Sequence, residues 1–501
     1  MTYVKLKNLF EEQSLLNDIN GILNWDMATY MPQKSRNQRV RQIQKILDYK
    51  KSIFDQIKKK ELFKKINDSG LSPEDKLNLN LMKDKFEYFD IVPYEYIKKK
   101  TSLAILCEGE WRKAKLKSNF NLVKKSFKKL VDVIKIESEI LSQKKDKTKY
   151  DCLLSKYDRS LTSSRITKIF SRIESFLKKN IPLILEKQRS YKSISFTENL
   201  SESEQFELSK DFMKKLGFDF SRGRIDKSSH PFCGGSSEDI RITTRYNDSD
   251  SFSCFDALMH ETGHAIYEQG LPKKWLHQPL GSSGGMSLHE SQSLFIEMQI
   301  IKSLQVSHLI EKIIKNNFGK KNPTWNQENI YRNRKQVKKN YIRVDADEVH
   351  YPLHIMHRFK IEKKIIEEDF DVMFLPELWN QEFYNIFNIK VDSDQNGCLQ
   401  DIHWFGGDFG YFPTYSIGAF IAAQIFDCIK KQNPKLENDL KKGNFLPIIN
   451  WLKKNIHNHG NYYKIDELLL NVTGEKLNLK YFEKHITDRY LKEKNNENSP
   501  L

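Results

Sequence analysis

One seven-residue stretch, Met259-His260-Glu261-Thr262-Gly263-His264-Ala265, constrains the chain more than any other. It has the pattern H-E-x-x-H, and the apolar residues around it recur at helical spacing up to Gly270, a residue typical of a helix end. On an α-helix the two histidines lie about one turn apart, so that two neutral imidazoles can bind one zinc ion. Glu261 projects from the neighbouring face, where it can take a proton from a metal-bound water. The alternative is a buried helix with two hydrogen-bonded histidines, because three fixed residues can recur by chance in a chain of 501 residues.

The composition predicts a large, mainly α-helical globular protein. Hydrophobic residues make up 39% of the chain and charged residues 30%, and only 21 glycines and 14 prolines interrupt long segments with helical periodicity. Helix starts are expected at Ser72-Pro73 and after caps at Ser163 and Ser201. Residues 239–246 alternate and are rich in β-branched side chains, which predicts a short strand ahead of the zinc helix. We expect an exposed edge of this strand to pair with an extended peptide, and the alternative is an ordinary structural hairpin.

The net charge bears on the kind of partner the protein binds, and the cysteines bear on its cellular compartment. The net charge of +17 is compatible with nucleic-acid binding, but the lysines occur in short runs mixed with acidic residues, without a basic tail or a zinc-finger spacing. We therefore expect solvated lysine faces and no specific nucleic-acid partner. The six cysteines are scattered without a C-x-x-C pair, which favours reduced thiols in the cytoplasm. Residues 1–20 lack the apolar segment of a signal peptide and the longest apolar run, residues 417–429, is too short to span a bilayer, so no membrane association is expected.

Glu290 is the best candidate for a third metal ligand. It follows His264 by 26 residues, in the segment His289-Glu290-Ser291-Gln292 at the start of a second predicted helix, and the Gly- and Ser-rich residues 281–285 allow that helix to fold back. The alternative is that Glu290 only closes a capping box with Ser287. Rival ligands are Glu268, Glu297, His277 and His289.

Two further segments could contribute to a site. His350, His354 and His357 lie near one face of a predicted helix, but they lack a matched base, and we expect them to pack or to support other groups. Residues 397–415 form a predicted loop rich in Gly, His, Tyr and Trp, a composition that suits close approach to a substrate.

Seven motifs follow one another in a single order and carry a family resemblance. They are Trp25-Asp26 with Thr29 and Met31-Pro32, His230-Pro231-Phe232, Asp239-Ile240-Arg241-Ile242-Thr243, His260-Glu261-Thr262-Gly263-His264, His289-Glu290-Ser291-Gln292, Ile342-Arg343 with Ala346-Asp347, and Gly397 through Gln400-Asp401 to His403-Trp404. The chain resembles, nearly end to end, the carboxypeptidase Taq family of zinc metallocarboxypeptidases. The resemblance implies a large all-helical peptidase of the gluzincin type, with a deep substrate groove and usually a homodimer. It also implies one Zn²⁺ per chain, bound by His260, His264 and Glu290.

The same resemblance assigns roles to further residues. Glu261 would be the general base and acid, and Arg343 would bind the terminal carboxylate of the substrate, a task that suits its planar fork. The candidates for stabilising the tetrahedral oxyanion are His403, Tyr411 and Tyr415. The groove would be lined by His230, Asp239, Arg241 and Thr243. One departure from the family pattern is Leu294-Phe295-Ile296, where Arg-Leu-Trp is usual, and it bears on residue preference in the nearby pocket.

The expected function is therefore the zinc-dependent removal of single residues from the C-termini of peptides. Co²⁺ or Mn²⁺ could substitute for zinc at such a site. The expected architecture is one catalytic domain over residues 1–501, with a helical lobe beside the groove (1–220), a zinc-site and substrate-binding portion (221–490) and a polar tail (491–501). The alternatives are a helical zinc oligopeptidase that cleaves internally and a non-enzymatic basic protein with a structural zinc.

Overall fold

A computed structural model describes residues 2–191, 193–196, 198–228, 231–247 and 249–492. His230 and most of the predicted tail, residues 493–501, lie outside the described residues. The described chain is mainly α-helical with one small sheet, which confirms the predicted fold class. Each helix described is too short or too polar to cross a lipid bilayer.

Eight α-helices precede the sheet in the described part of the chain. Their bounds are α1 Thr2–Ala28, α2 Arg36–Lys59, α3 Pro73–Ile91, α4 Tyr94–Leu116, α5 Lys124–Lys145, α6 Lys149–Leu154, α7 Ser163–Arg189 and α8 Glu202–Lys215. Local sequence fixes several of these starts. The hydroxyl of Ser72 accepts from the Asp75 amide at the start of α3, and Ser201 forms a capping box with Glu204 at the start of α8. The cap of α7 is Thr162 rather than the predicted Ser163.

The sheet has three strands, β1 Gly223–Lys227, β2 Phe232–Ser236 and β3 Asp239–Thr244. Their order is β1-β3-β2, with β1 parallel and β2 antiparallel to β3. The predicted strand is therefore present, but the expectation of an exposed edge on it is wrong, because both of its edges are paired. The reason is β1, a five-residue segment that carries too weak an alternating pattern to be predicted from sequence.

Twelve further α-helices are described after the sheet. Their bounds are α9 Ser253–Gln269, α10 Met286–Leu294, α11 Leu304–Asn317, α12 Gln327–Arg334, α13 Tyr351–Glu367, α14 Leu375–Phe387, α15 His403–Gly406, α16 Pro413–Gln432, α17 Leu436–Lys442, α18 Leu446–Asn455, α19 Ile465–Thr473 and α20 Lys480–Tyr490. A π-helical segment, Phe295–Ile301, continues directly from α10. Gly270 ends α9, as the sequence predicts.

The buried apolar side chains form one large cluster and smaller satellites. The large cluster draws on residues from Cys107 to Tyr490, and therefore on both predicted portions of the chain. It contains Phe255, Leu258 and Met259 from α9, each fully buried, so the H-E-x-x-H helix runs through the core. A separate cluster between residues 6 and 82 holds the first helices together.

Candidate metal centre and active site

Glycines allow the helices of the candidate site to approach closely. A Cβ atom added at Gly263 of α9 would lie 2.5 Å from the Gln292 carbonyl oxygen of α10. A Cβ atom added at Gly418 of α16 would lie 2.8 Å from Cβ of Glu290. Because a real Cβ atom does not approach backbone so closely, both positions require glycine. The three helices therefore meet at the histidines and at Glu290.

The side chains of His260, His264 and Glu290 converge where α9 and α10 meet. Nε2 of His264 lies 3.3 Å from one carboxylate oxygen of Glu290, and Nε2 of His260 lies 3.8 Å from the other. All three ligand atoms lie within 4.8 Å of one another, and this is the one such group of three among the described residues. The N-terminus of α10 lacks a side-chain cap, so Glu290 does not act as the capping-box residue that was the alternative prediction.

Hydrogen bonds orient both imidazoles towards this point. Nδ1 of His264 donates to the carbonyl oxygen of His289 over 3.1 Å, and Nδ1 of His260 lies 2.9 Å from a carboxylate oxygen of Glu297. The Glu297 carboxylate also accepts from Lys302 over 2.6 Å. Because Nδ1 is engaged in each ring, Nε2 is left as the lone-pair nitrogen facing Glu290. Two imidazoles and one carboxylate suit a divalent transition metal, and three protein ligands leave room for water and substrate.

The rival ligands lie around this triad rather than in it. Glu297 binds the far side of the His260 ring, and Glu268 contacts Nε2 of His289 over 2.8 Å. His277 lies apart, 3.8 Å from Asp18. These residues therefore support or flank the triad.

The surroundings shift the pKa values of His260, Glu261 and His264, the three ionisable side chains of the H-E-x-x-H motif. Burial raises the pKa of Glu261 to about 7, although its neighbour His260 acts in the opposite direction. Burial disfavours a charge on His260, but Glu290 and the hydrogen bond to Glu297 outweigh it and raise its pKa to about 9. Burial and the neighbouring His289 lower the pKa of His264 to about 4. A proton therefore competes with a cation at His260, and metal binding should release it.

An aromatic and polar wall covers one side of the triad. The hydroxyl of Tyr351 donates to Glu290 over 3.4 Å, and its ring lies 6.4 Å from that of Tyr415. Nε2 of His403 lies 2.8 Å from the Tyr415 hydroxyl, and the Tyr411 ring packs against both residues at 5.4 and 5.2 Å. The three predicted oxyanion candidates therefore form a single cluster, which Tyr351 connects to Glu290.

Behind Tyr415 lies a buried group of two arginines and one carboxylate. The Arg343 guanidinium lies 4.7 Å from the centre of the Tyr415 ring, and its Nε and one Nη contact the same oxygen of Asp401 at 3.0 and 2.9 Å. Nε of Arg358 binds the other oxygen of Asp401 over 2.7 Å. Gln400 accepts from the Arg343 backbone and from Arg358. The two arginines hold the pKa of Asp401 well below its usual range, despite the opposing effect of burial, so this carboxylate is ionised.

The residues predicted to line the groove are divided between surface and interior. Asp239 and Arg241 form an ion pair of 2.9 Å, and the Arg241 guanidinium stacks on Trp25 at 4.5 Å, which connects β3 to the end of α1. Thr243 is fully buried, and its hydroxyl accepts from Ser228 over 2.8 Å within the sheet.

The second group of histidines serves packing. His354 and His357 are buried on α13 and His350 just before it, and their rings contact aromatic side chains of α14 at 4.5–6.3 Å. They do not form a candidate metal group with any described residue. These contacts agree with the expectation that the three histidines pack or support other groups.

Sequence reasoning gave no role to Tyr351, Arg358 or Asp401. Asp401 belongs to the same motif as Gln400, and an acidic residue in this Gly-rich loop could have been predicted to need a basic partner if it is buried. Tyr351 and Arg358 had no such signal, because their contacts bring together residues 40 to 60 positions apart.

Comparisons with known proteins agree with this geometry. A sequence profile of the carboxypeptidase Taq (M32) metallopeptidases matches residues 5–490. Carboxypeptidase 1 of Bacillus subtilis is 32% identical over 489 residues, which cover 96% of this chain and 97% of that protein. Thermostable carboxypeptidase 1 of Pyrococcus furiosus is 33% identical over 402 residues and 80% of each chain.

A solved structure shows the same fold. Metallocarboxypeptidase 1 of Trypanosoma cruzi superposes with a TM-score of 0.91 at 31% identity, over 98% of this chain and 99% of that one. The profile, the relatives and the shared fold all extend over most of the chain. The protein therefore belongs to the carboxypeptidase Taq (M32) family of metallopeptidases and is a metal-dependent peptide hydrolase of the carboxypeptidase type.

Proposed function

We propose that this protein is a zinc carboxypeptidase that removes single residues from the C-termini of peptides. The observation that carries the proposal is the arrangement of the His260, His264 and Glu290 triad, with Glu261 beside it and Arg343 behind the Tyr415 wall. Two imidazoles and one carboxylate are a common ligand set for catalytic zinc, and Co²⁺ or Mn²⁺ are compatible substitutes. Carboxypeptidase relatives over the full chain length support the same activity.

Glu261 is the proposed general base and acid. Zinc, when bound, would polarise the scissile carbonyl and make water more acidic. Glu261 would take the proton of the attacking water and pass it to the leaving amine. Its buried carboxyl, with a pKa raised to about 7, is suited to both accepting and returning a proton near neutral pH. The hydroxyl of Tyr415, paired with His403, is the proposed donor for the developing oxyanion, with Tyr411 packed against it.

Arg343 is the proposed binding group for the substrate's terminal carboxylate. Asp401 engages one edge of its guanidinium, and Tyr415 stacks on the face. A guanidinium fixed in this way loses little side-chain entropy when it binds a second carboxylate. Carboxylate recognition explains why cleavage would occur at the last peptide bond of a chain.

We also propose the domain organisation, the compartment and the oligomeric state. The helical lobe and the zinc-site portion act as one catalytic domain, because the large apolar cluster draws on both. The six free cysteines favour the reducing cytoplasm, and the homodimer is proposed from the family resemblance alone.

The test uses two N-terminally blocked peptides that differ only in a free or an amidated C-terminus. The zinc-loaded protein should shorten only the free-acid peptide, one residue at a time by mass spectrometry, and a chelator should abolish the reaction. Internal cleavage of both peptides would instead establish an oligopeptidase. Metal binding without cleavage of either peptide would favour the alternative of a non-enzymatic basic protein with a structural zinc.

Glu261→Gln separates catalysis from metal binding. The variant should retain the metal and lose at least about 10²-fold in kcat, the lower range for a lost general base. Full activity in a metal-loaded Glu261→Gln protein would refute the assignment of the base.

A further inference from the structure

A cavity of about 670 Å³ lies between the first helices and the metal centre. One wall comes from α1, α2 and α3, and the opposite wall includes residues 235–238 and 281–286. The cavity reaches the metal-binding helices at Glu268, in the last turn of α9, and at Met286, the first residue of α10. Because these residues lie about one turn from His264 and Glu290, the cavity opens beside the triad.

The triad separates this cavity from Arg343. On the cavity side, Glu268 binds His289, whose carbonyl binds His264. On the other side, Glu290 connects through Tyr351 and Tyr415 to Arg343. A peptide with its terminal carboxylate at Arg343 and its last amide at the triad would therefore extend its preceding residues into the cavity.

The charges on the cavity wall are mostly paired within the protein. Lys145 binds Glu87, and Lys156 binds Glu137. The acidic residues are likewise engaged or set apart: Asp18 lies near His277, Glu268 near His289, Glu238 near Arg222, and Asp84 interacts with Arg159.

Two lysines on this wall have no carboxylate partner among the described residues. The Lys50 ammonium, on α2, donates to the neutral amide of Asn17 over 2.8 Å and lies 5.7 Å from the Phe89 ring. Lys85, on α3, is exposed on the cavity wall, and no ion pair or side-chain hydrogen bond engages it within the described chain. Phe89 lies one turn after Lys85 on α3, so Lys50 and Lys85 are neighbours on the same cavity wall. Burial and the charge of Lys85 lower the pKa of Lys50 to about 8.

Two neighbouring cations without a counterion, on the wall of a substrate cavity, are suited to binding an anion. We infer that Lys50 and Lys85 form a subsite for acidic side chains of the peptide, N-terminal to the scissile bond, and that the enzyme prefers acidic peptides. This inference rests on the proposed carboxypeptidase function. The net charge of +17 would add long-range attraction for the same substrates.

The experiment compares two N-blocked peptides with the same C-terminal residue and with either three Glu or three Gln residues ahead of it. At low salt the Glu peptide should have a kcat/KM about five- to tenfold higher, the combined effect of two partly exposed ion pairs. The ratio should fall towards one at 1 M salt, where the screening length is only about 3 Å.

Charge variants assign the preference to the two lysines. The double variant Lys50→Gln/Lys85→Gln should lower the ratio to about one, and Lys50→Arg/Lys85→Arg should retain it. Lys129→Gln, an exposed lysine on α5 outside the cavity, is the matched control and should leave the ratio unchanged. Thermal unfolding checks that each variant is folded.

Peptide binding keeps this inference separable from the proposed function. Affinity is measured by fluorescence anisotropy on the Glu261→Gln protein, with and without the two lysine substitutions. Tighter binding of the Glu peptide, lost in the triple variant, supports the subsite even if neither peptide is trimmed. Equal affinities, or equal trimming of both peptides by the wild type, overturn the subsite and leave the carboxypeptidase proposal intact.

Discussion

Glu297 provides a test of how the proposed metal centre is held, because it touches the proposed ligand His260 without being one of the three proposed ligands. Its carboxylate receives Nδ1 of His260 at 2.9 Å and Lys302 at 2.6 Å, and it is largely enclosed. Glu297→Gln keeps the shape but removes the charge from this hydrogen bond. Loss of such an outer partner typically costs 10- to 100-fold in metal affinity, or about 1.4 to 2.7 kcal/mol. We expect the dissociation constant for Zn²⁺, measured by competition with a chromophoric chelator, to rise by that factor.

Glu268 supplies the matched control for this prediction. It is also a carboxylate bonded to a histidine near the triad, at 2.8 Å, but its partner His289 is not a proposed ligand and contacts His264 through a backbone carbonyl and a ring stack of 4.5 Å. Glu268→Gln should therefore change zinc affinity by less than about threefold, below the range for a direct partner of a ligand. Wild-type affinity in Glu297→Gln, or an equal loss in both variants, would refute the reasoning that the Nδ1 hydrogen bond orients His260.

Three further predictions concern packing, pH and recognition. Gly263→Ala would force α9 and α10 apart and should lower the free energy of unfolding, measured in urea, by about 1–3 kcal/mol. Gly21 in α1 has open space around it, so the control Gly21→Ala should raise the free energy of unfolding slightly. Burial raises the pKa of Glu137, but Lys156 and Lys100 outweigh it and lower it from 4.5 to about 2. Its ion pairs should therefore stabilise the fold above pH 4.5, and about 3 kcal/mol of this stabilisation should be lost as the pH falls towards 2. If the stability of a Glu137→Gln protein fell with acid as steeply as that of the wild type, this assignment would be contradicted. Arg343→Lys should lower kcat/KM for free-acid peptides about 10- to 100-fold, the loss expected for a charged hydrogen bond, and wild-type kcat/KM in this variant would contradict carboxylate recognition.

The helices were predictable wherever a local signal ended them. Ser72-Pro73, Ser201 with Glu204, and Gly270 each mark a boundary by chemistry within four residues, and the structure has helix ends at all three. The order of the strands was not predictable, because β1 pairs with β3 across the intervening β2. Pairing between separated strands depends on tertiary packing, which a local alternation pattern does not encode.

The residues of the candidate site were likewise predictable only where a local pattern in the sequence marks them. The H-E-x-x-H spacing brings two imidazoles to one face by helix geometry alone, so His260 and His264 follow directly from sequence. Glu290 needed the family resemblance, because a capping box was an equal explanation of its position. The contact of Tyr351 with Glu290 depends on how α13 crosses α10, and nothing near residue 351 in the sequence reports that crossing.

The charge balance around Asp401 explains why Arg343, rather than another basic residue, should receive a carboxylate. Arg343 and Arg358 are 4% and 0% exposed, and they share the single carboxylate of Asp401. Two buried guanidinium groups against one anion leave a net positive charge in a region where an unpaired charge is costly. Arg358 is enclosed completely, so its position cannot be reached by a substrate, whereas Arg343 lies against the Tyr415 ring that faces the triad. A peptide carboxylate would supply the missing negative charge at the Arg343 guanidinium beside the site, and it would do so when the last peptide bond lies at the proposed metal triad.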